Sequence, residues 1–262
     1  MFERRLVHYL YPLALVLILQ SFARPDQQPQ EREAERTGLF VGAGMLVKDE
    51  PFKGVGTEVY PLPFYMYQGR AFTMRGLSAT YELSGNDALA IRALARFRTD
   101  GYDADDSSDL RGMSDRRNSL DVGAELWLEN SWGNLGLDAV TDALSEHDGH
   151  EATLSYVLPF RGAFGIRELG LRPMLGLSWR SENLNNYYYG VRAREATVAR
   201  TAYKSGDAVN PYAGIVLDYQ LAERWSIFSL FRNEWLADEI TDSPIIDQQN
   251  VVSVIVGLLY RF

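Results

Sequence analysis

An antiparallel transmembrane β-barrel, and thus an all-β protein, is the fold class to which this sequence points. The first reason is the final stretch, Asn250 to Phe262. Counted back in twos it gives Phe262, Tyr260, Leu258, Val256, Val254 and Val252, all apolar, while the other register is mixed. Residues two apart share one face of a strand, and a ten-residue strand with one apolar face and terminal aromatics fits a barrel wall. The second reason is that the same alternation recurs along the chain. The third is the opposite face, which carries Gly, Ser, Arg, Asp and Glu together. Those residues suit a narrow lumen filled by paired charges, with glycine relieving the crowding. A soluble sandwich also alternates, but its polar face would favour Lys and Thr; here lysine occurs at Lys48, Lys53 and Lys204, all expected in loops.

Composition narrows the class. Hydrophobic residues are 46% and charged ones 23%, which excludes a disordered chain and a polytopic helical membrane protein. Mean hydropathy of -0.21 does not argue against a barrel, because alternating strands average to near neutral. Cysteine is absent, which removes disulfides, thiol chemistry, thiolate metal sites and a lipid anchor on Cys. A net charge of -9 argues against a nucleic-acid partner. The 15 Tyr, 12 Phe and 5 Trp are enough for aromatic girdles at both membrane interfaces.

Taken in order, the chain opens with Arg4 and Arg5, an apolar run from Tyr9 to Leu19, and small residues at Ser21 and Ala23. These are the three parts of a secretory signal peptide, assigned to 1–23. Residues 24–36 are Pro, Gln, Glu and Arg with almost nothing apolar, the composition of a disordered periplasmic leader. The barrel is assigned to 37–262.

Strands are expected around Leu39 to Met45, Leu77 to Leu83, Leu89 to Phe97, Leu120 to Leu128 and Leu135 to Ala139. They continue at Ala152 to Leu158, Leu169 to Trp179, Asn210 to Gln220, Trp225 to Trp235 and Val252 to Phe262. That is ten. The segment Val59 to Thr73, with Phe64-Tyr65-Met66-Tyr67, makes twelve if it forms an extra hairpin; ten is the preferred count. Short turns alternate with long loops, which places the end of the last strand at the periplasmic side.

Three loops hold candidate chemistry. Asp103, Asp105, Asp106 and Asp109 form an acidic run, but their spacing is not that of a calcium loop. His147 and His150 flank Asp148, beside Ser145 and Glu146. Neighbours in a tight hairpin splay apart, so neither a nucleophile–base pair nor a metal site is expected there. No catalytic, cofactor or metal residue is therefore assigned. The Tyr187-Tyr188-Tyr189 run lies in a long segment, 181–209, with three readings: an adaptable contact loop, a lumen plug, or packing at the rim.

Several motifs resemble the MltA-interacting protein (MipA/OmpV) family of outer-membrane proteins. They are the Gly-rich strand Gly38 to Gly44, Tyr102-Asp103, and Asp109-Leu110-Arg111-Gly112-Met113. They continue with Tyr187 to Val191 followed by Glu195-Ala196, then Asp242-Ser243-Pro244, and the closing Tyr260-Arg261-Phe262. The resemblance implies a barrel in the outer membrane of a Gram-negative bacterium, without enzymatic activity or cofactor. It implies a scaffold joining a lytic transglycosylase to a murein synthase; other members are studied as antigens, adhesins or antibiotic-response proteins. A narrow channel for small solutes is the alternative suggested by the charged inner face. Tyr260 and Phe262 also look like the C-terminal signal read by the barrel-assembly machinery, so outer-membrane lipid and that machinery are expected partners.

Overall fold

The computed structural model describes residues 38–262. The assignments to 1–23 and 24–36 lie outside the described residues. The described chain is one antiparallel sheet closed on itself. In order come β1 (Gly38–Asp49), β2 (Thr57–Gln68), β3 (Phe72–Arg75), β4 (Ser78–Gly85) and β5 (Leu89–Arg98). Next are β6 (Ser119–Asn130), β7 (Gly133–Asp142), β8 (His150–Val157), the two-residue β9 (Phe160–Arg161) and β10 (Leu169–Arg180). Helix α1 (Glu182–Tyr189) precedes β11 (Ala208–Gln220) and β12 (Trp225–Trp235); the single turn α2 (Asp238–Thr241) precedes β13 (Asn250–Arg261). Each strand pairs with its sequence neighbour, β1 closes against β13, and β9 continues β8 along β10. Twelve strands thus form the wall.

The count of ten is corrected to twelve by β2 and β3. Pro61 and Pro63 disguise β2, since proline is normally confined to sheet edges. Strand β3, with four residues, is too short to show a period. Lys48 is corrected too: it lies in β1, not in a loop, and pairs with Glu50 at 3.1 Å.

Alternation sorts the side chains as expected. Leu39, Val41 and Met45 of β1, Ile91 of β5, Leu175 and Leu177 of β10, and Val256 and Leu258 of β13 are exposed on the outside. Around a barrel in a bilayer, this apolar exterior is the lipid-contacting belt. At the end carrying the short turns, Trp225 meets Tyr260 at 5.0 Å, and Tyr260 meets Phe262 at 5.0 Å. Trp132 stacks on Tyr156 at 5.9 Å, completing part of an aromatic girdle there. In bacterial barrels the short turns face the periplasm and the long loops face outward.

Inside, the periplasmic half is packed with apolar side chains. Leu62, Met66, Trp127, Met174, Phe228, Leu230 and Leu259 are buried in one cluster, with Phe40 and Phe64 against it. Glycine makes room for this plug. The Phe64 ring lies so close to Gly44 and Gly257 that a Cβ on either would sit 2.5 Å from its Cε2.

A capped and charge-lined lumen as candidate functional site

Above the apolar plug, the strands aim charged side chains inward at alternate positions. On β5 these are Arg92, Arg96 and Arg98; on β6, Asp121 and Glu125; on β8, Glu151; on β10, Arg180; and on β12, Arg232 and Glu234. They pair across the lumen. Arg92 meets Glu125 at 2.6 Å and Arg98 meets Asp121 at 2.6 Å. Glu151 accepts from Arg96 and Arg98, each at 2.9 Å, and lies 3.5 Å from Arg180. Arg180 and Arg232 converge on Glu234 at 2.7 and 2.8 Å. The Arg232 guanidinium also lies 4.0 Å from the centre of the Tyr212 ring. Charges this buried are tolerated because each finds partners; removing one partner typically costs about 3–5 kcal/mol. The belt surrounds a cavity of about 110 Å³ reaching from Lys48 and Asp100 to Met174 and Phe228.

The outer end is closed by the loops, which fold into a cap with its own core. Phe52, Tyr102, Leu110, Met113, Leu184, Tyr188, Tyr189, Val191, Ile240, Ile245 and Ile246 are buried together. These come from four separate loop segments. Short β-bridges join Phe52 to Ile246, Tyr102 to Arg116 and Val191 to Tyr203. Buried arginines tie the segments further. The Arg116 guanidinium donates to the Tyr187 carbonyl and to Glu195. Arg200 donates to the carbonyls of Asp109 at 2.6 Å and Arg111 at 3.1 Å.

Burial sets the ionisation of groups in this cap. It pushes the Tyr102 hydroxyl up to about 12, although Arg116 pulls the other way. Tyr188 and Tyr189 are raised, chiefly by burial. Glu195 goes down. Burial opposes its charge, but hydrogen bonds from Arg116, the Arg192 backbone and Ser114 outweigh that and hold the carboxyl at about 2.

The tyrosine run is placed by this core. Tyr187 to Tyr189 form the last turn of α1, where Tyr188 and Tyr189 are buried and Tyr187 is half-buried. Tyr188 donates to the Arg117 carbonyl at 3.2 Å, while Ser243 donates to the Tyr189 carbonyl at 2.6 Å. The rings of Tyr188 and Tyr189 fill the cap, and Tyr187 is packed against the same cluster.

The histidines divide. His150 is exposed, and its backbone N–H donates to Ser181 Oγ at 2.8 Å. His147 is buried, with Nε2 lying 3.1 Å from Ser119 Oγ and 3.2 Å from Asp121 Oδ1. Its Nδ1 accepts the Gly149 N–H at 3.0 Å, which assigns the ring proton to Nε2. Ser, His and Asp are therefore neighbours without being a triad. The nitrogen facing Ser119 carries a proton and has no lone pair with which to take another. Asp121, Asp142 and His147 also group their ligand atoms within 4.8 Å. Asp142 is engaged by the backbone N–H groups of Leu144, His147 and Asp148, the work of a turn lock. Among the described residues, the acids of 103–109 form no comparable group.

Tyr260 points outward to the girdle, and Phe262 is exposed at the periplasmic rim, its N–H donating to the Leu39 carbonyl at 3.0 Å.

The motifs with a family resemblance largely converge. Tyr102, Leu110, Met113, Tyr188, Val191, Glu195 and Ser243 are all buried in or beneath the cap. Comparison with known proteins agrees. MltA-interacting protein from Escherichia coli K12 is 31% identical over 87% of this chain and 92% of its own length. Outer membrane protein OmpV from Vibrio cholerae is 30% identical over 87% of this chain and 86% of its own. Among solved structures, the translocator domain of autotransporter NalP from Neisseria meningitidis aligns with a TM-score of 0.49 and 12% identity. That alignment covers 89% of this chain and 94% of NalP's. The family model described as MltA-interacting protein MipA matches residues 41–262. The chain thus belongs to the MltA-interacting protein family, and it is a β-barrel of the Gram-negative outer membrane.

Proposed function

We propose that this barrel is a non-enzymatic scaffold that holds murein-remodelling enzymes at the inner face of the outer membrane. The observation that carries the reading is the use of the interior. Its lower half is packed with apolar side chains, its upper half is committed to ion pairs, and its outer mouth is folded shut. A partner is then left the periplasmic rim, and the E. coli relative is named for interacting with MltA. A lytic transglycosylase, with a murein synthase beside it, is the partner class we assign. The longest periplasmic turn, 162–168 after β9, leaves Phe164 and Ile166 exposed, with Phe164 88% exposed. Phe164 also has φ 55°, a left-handed conformation rarely adopted by a bulky residue. Such strain at an exposed aromatic fits a contact position. Capture of a purified soluble lytic transglycosylase by the folded barrel tests the scaffold. Recovery no higher than from a barrel of another family overturns it.

A narrow channel is the competing reading, favoured by the charged cavity. Conduction would require the Phe40, Phe64 and Phe228 side chains to move out of the lower lumen. Planar-bilayer recordings should show no discrete conductance for the wild type.

A further inference from the structure

The wall is incomplete on one side. Strand β2 is paired with β1 along its whole length, from Thr57 opposite Asp49 to Gln68 opposite Gly38. On its other side β3 covers Met66 to Gln68 alone, and the β3–β4 hairpin turns back at Gly76 and Leu77. One more bond follows, from the Gly76 N–H to the Tyr65 carbonyl at 3.2 Å. Beyond it, no backbone hydrogen bond among the described residues reaches the outer edge of Thr57 to Phe64. That is about 25 Å of strand at the usual rise. The far side of the gap is β5, whose Phe97 N–H bonds Leu77 at the hairpin tip. Higher up, Ser107 donates to the Lys53 carbonyl at 2.7 Å and so closes the top. The result is an unpaired stretch of wall, a window in the hydrogen-bond ladder, between β2 and the β5 end.

The window lies at membrane level. Pro61 and Pro63 pair with Met45 and Ala43 of β1, in the lipid-contacting belt. Because the Tyr65 carbonyl faces β3, odd-numbered residues of β2 turn their peptide groups to that side. At Pro61 and Pro63 those groups lack an N–H. The prolines therefore remove donors from an edge that would otherwise recruit another strand. An open edge in hydrocarbon persists only where it lines a hydrated cavity or is covered.

At the sill of this window sits a charge without a counterion. Arg75, paired with Ser78 across the hairpin turn, is 8% exposed, and no ion pair or hydrogen bond to its guanidinium occurs among the described residues. The Ser78 hydroxyl is also buried without a partner. Nearby Arg92 and Arg172 add positive field, and the carboxylate that most offsets it, Glu125, is already bonded to Arg92. Leu62, Phe64 and Met66 of β2 line the neighbouring interior with apolar surface.

We propose that Arg75 and Ser78 form a binding site for the acid headgroup of a bilayer amphiphile. The headgroup enters laterally through the window, and its acyl chain remains along β2 and in the membrane. A buried guanidinium supplies charge-assisted hydrogen bonds to a carboxylate or phosphate. The lipid-level opening supplies the chain's path, and the prolines select against a strand-forming partner or a second copy.

The test uses the full-length barrel in neutral detergent with spin-labelled stearic acid as probe. Saturable binding is expected, weakened about tenfold or more by Arg75→Gln and kept within a few-fold by Arg75→Lys. A long-chain alkyl phosphate should compete, whereas millimolar inorganic phosphate should not. Unboiled gel migration confirms that each variant is folded. Equal binding by folded Arg75→Gln overturns the site. Competition by inorganic phosphate as strong as by the alkyl phosphate overturns the bilayer source. In outer membranes, a diazirine fatty acid should label β2 and the β3–β4 hairpin most strongly. Labelling spread evenly around the barrel, or dimers cross-linked through β2, overturns entry by the window.

Discussion

Glu195 and Arg116 form a closed pair inside the cap, with Oε2 and Nη2 3.0 Å apart and both side chains almost wholly buried. They tie the 99–118 loop to the segment after α1. The folded Glu195 carboxyl titrates at about 2, below its ordinary 4.5, so its contribution to stability is complete above about pH 4.5. It is lost progressively as the pH falls through the folded value near 2. Limited proteolysis should find the cap resistant at pH 7 and increasingly cut below about pH 4. In Arg116→Ala the cap should be cut at pH 7 as well, having lost about 3–5 kcal/mol from an unpaired buried carboxylate. Equal cutting of wild type and variant at pH 7 would count against the clamp.

Glu151 is the shared counter-charge of three arginines, Arg96, Arg98 and Arg180. Glu151→Ala leaves these buried guanidiniums short of a counter-charge. We expect a loss of several kcal/mol. The unboiled gel species should convert to the unfolded one at a clearly lower temperature; an unchanged midpoint would refute the role.

Tyr188 is fully buried among cap residues, whereas the wall beneath has its own hydrogen-bonded belt. Tyr188→Ala should therefore loosen the cap by about 3–5 kcal/mol, by analogy with other aromatic truncations, and spare the barrel. Amide exchange is the measurement. Faster exchange confined to 99–118 and 181–207 is expected, while equal acceleration in the strands would show that cap and wall are not separable.

Phe262 lies at the rim, its ring 5.0 Å from Tyr260. Deleting it should lower insertion into the outer membrane more than any single loop substitution. Quantifying the heat-modifiable form in outer-membrane fractions decides this; unchanged insertion removes the assembly role.

Much of the wall was legible because a strand with one lipid face must alternate. Val252 to Tyr260 on β13 and Leu89 to Phe97 on β5 show this directly, and the outward residues are those counted from sequence. β2 was legible only as one arm of a possible hairpin over Val59 to Thr73, since Pro61 and Pro63 look like loop residues until the missing neighbour on one side is seen. The partner of a charge was not legible either. Arg98 and Glu151 are separated by 53 positions, and Glu195 and Arg116 by 79, distances over which sequence carries no register. His147 reads as a turn residue beside His150; its bonds to Ser119 and Asp121 come from β6, across the fold. The tyrosine run was visible, but α1 was not: eight residues are too short for a clear helical period.

The cap has a meaning for how this protein is seen from outside the cell. Its surface is assembled from segments around Phe52, Tyr102, Gly149, Tyr189 and Ile246, held in register by a shared interior. An antibody or phage raised against the intact bacterium would recognise a discontinuous epitope, and denatured protein or single-loop peptides would compete poorly. Val198, fully exposed on the longest segment, is the place where an inserted tag would be displayed without unpicking that interior.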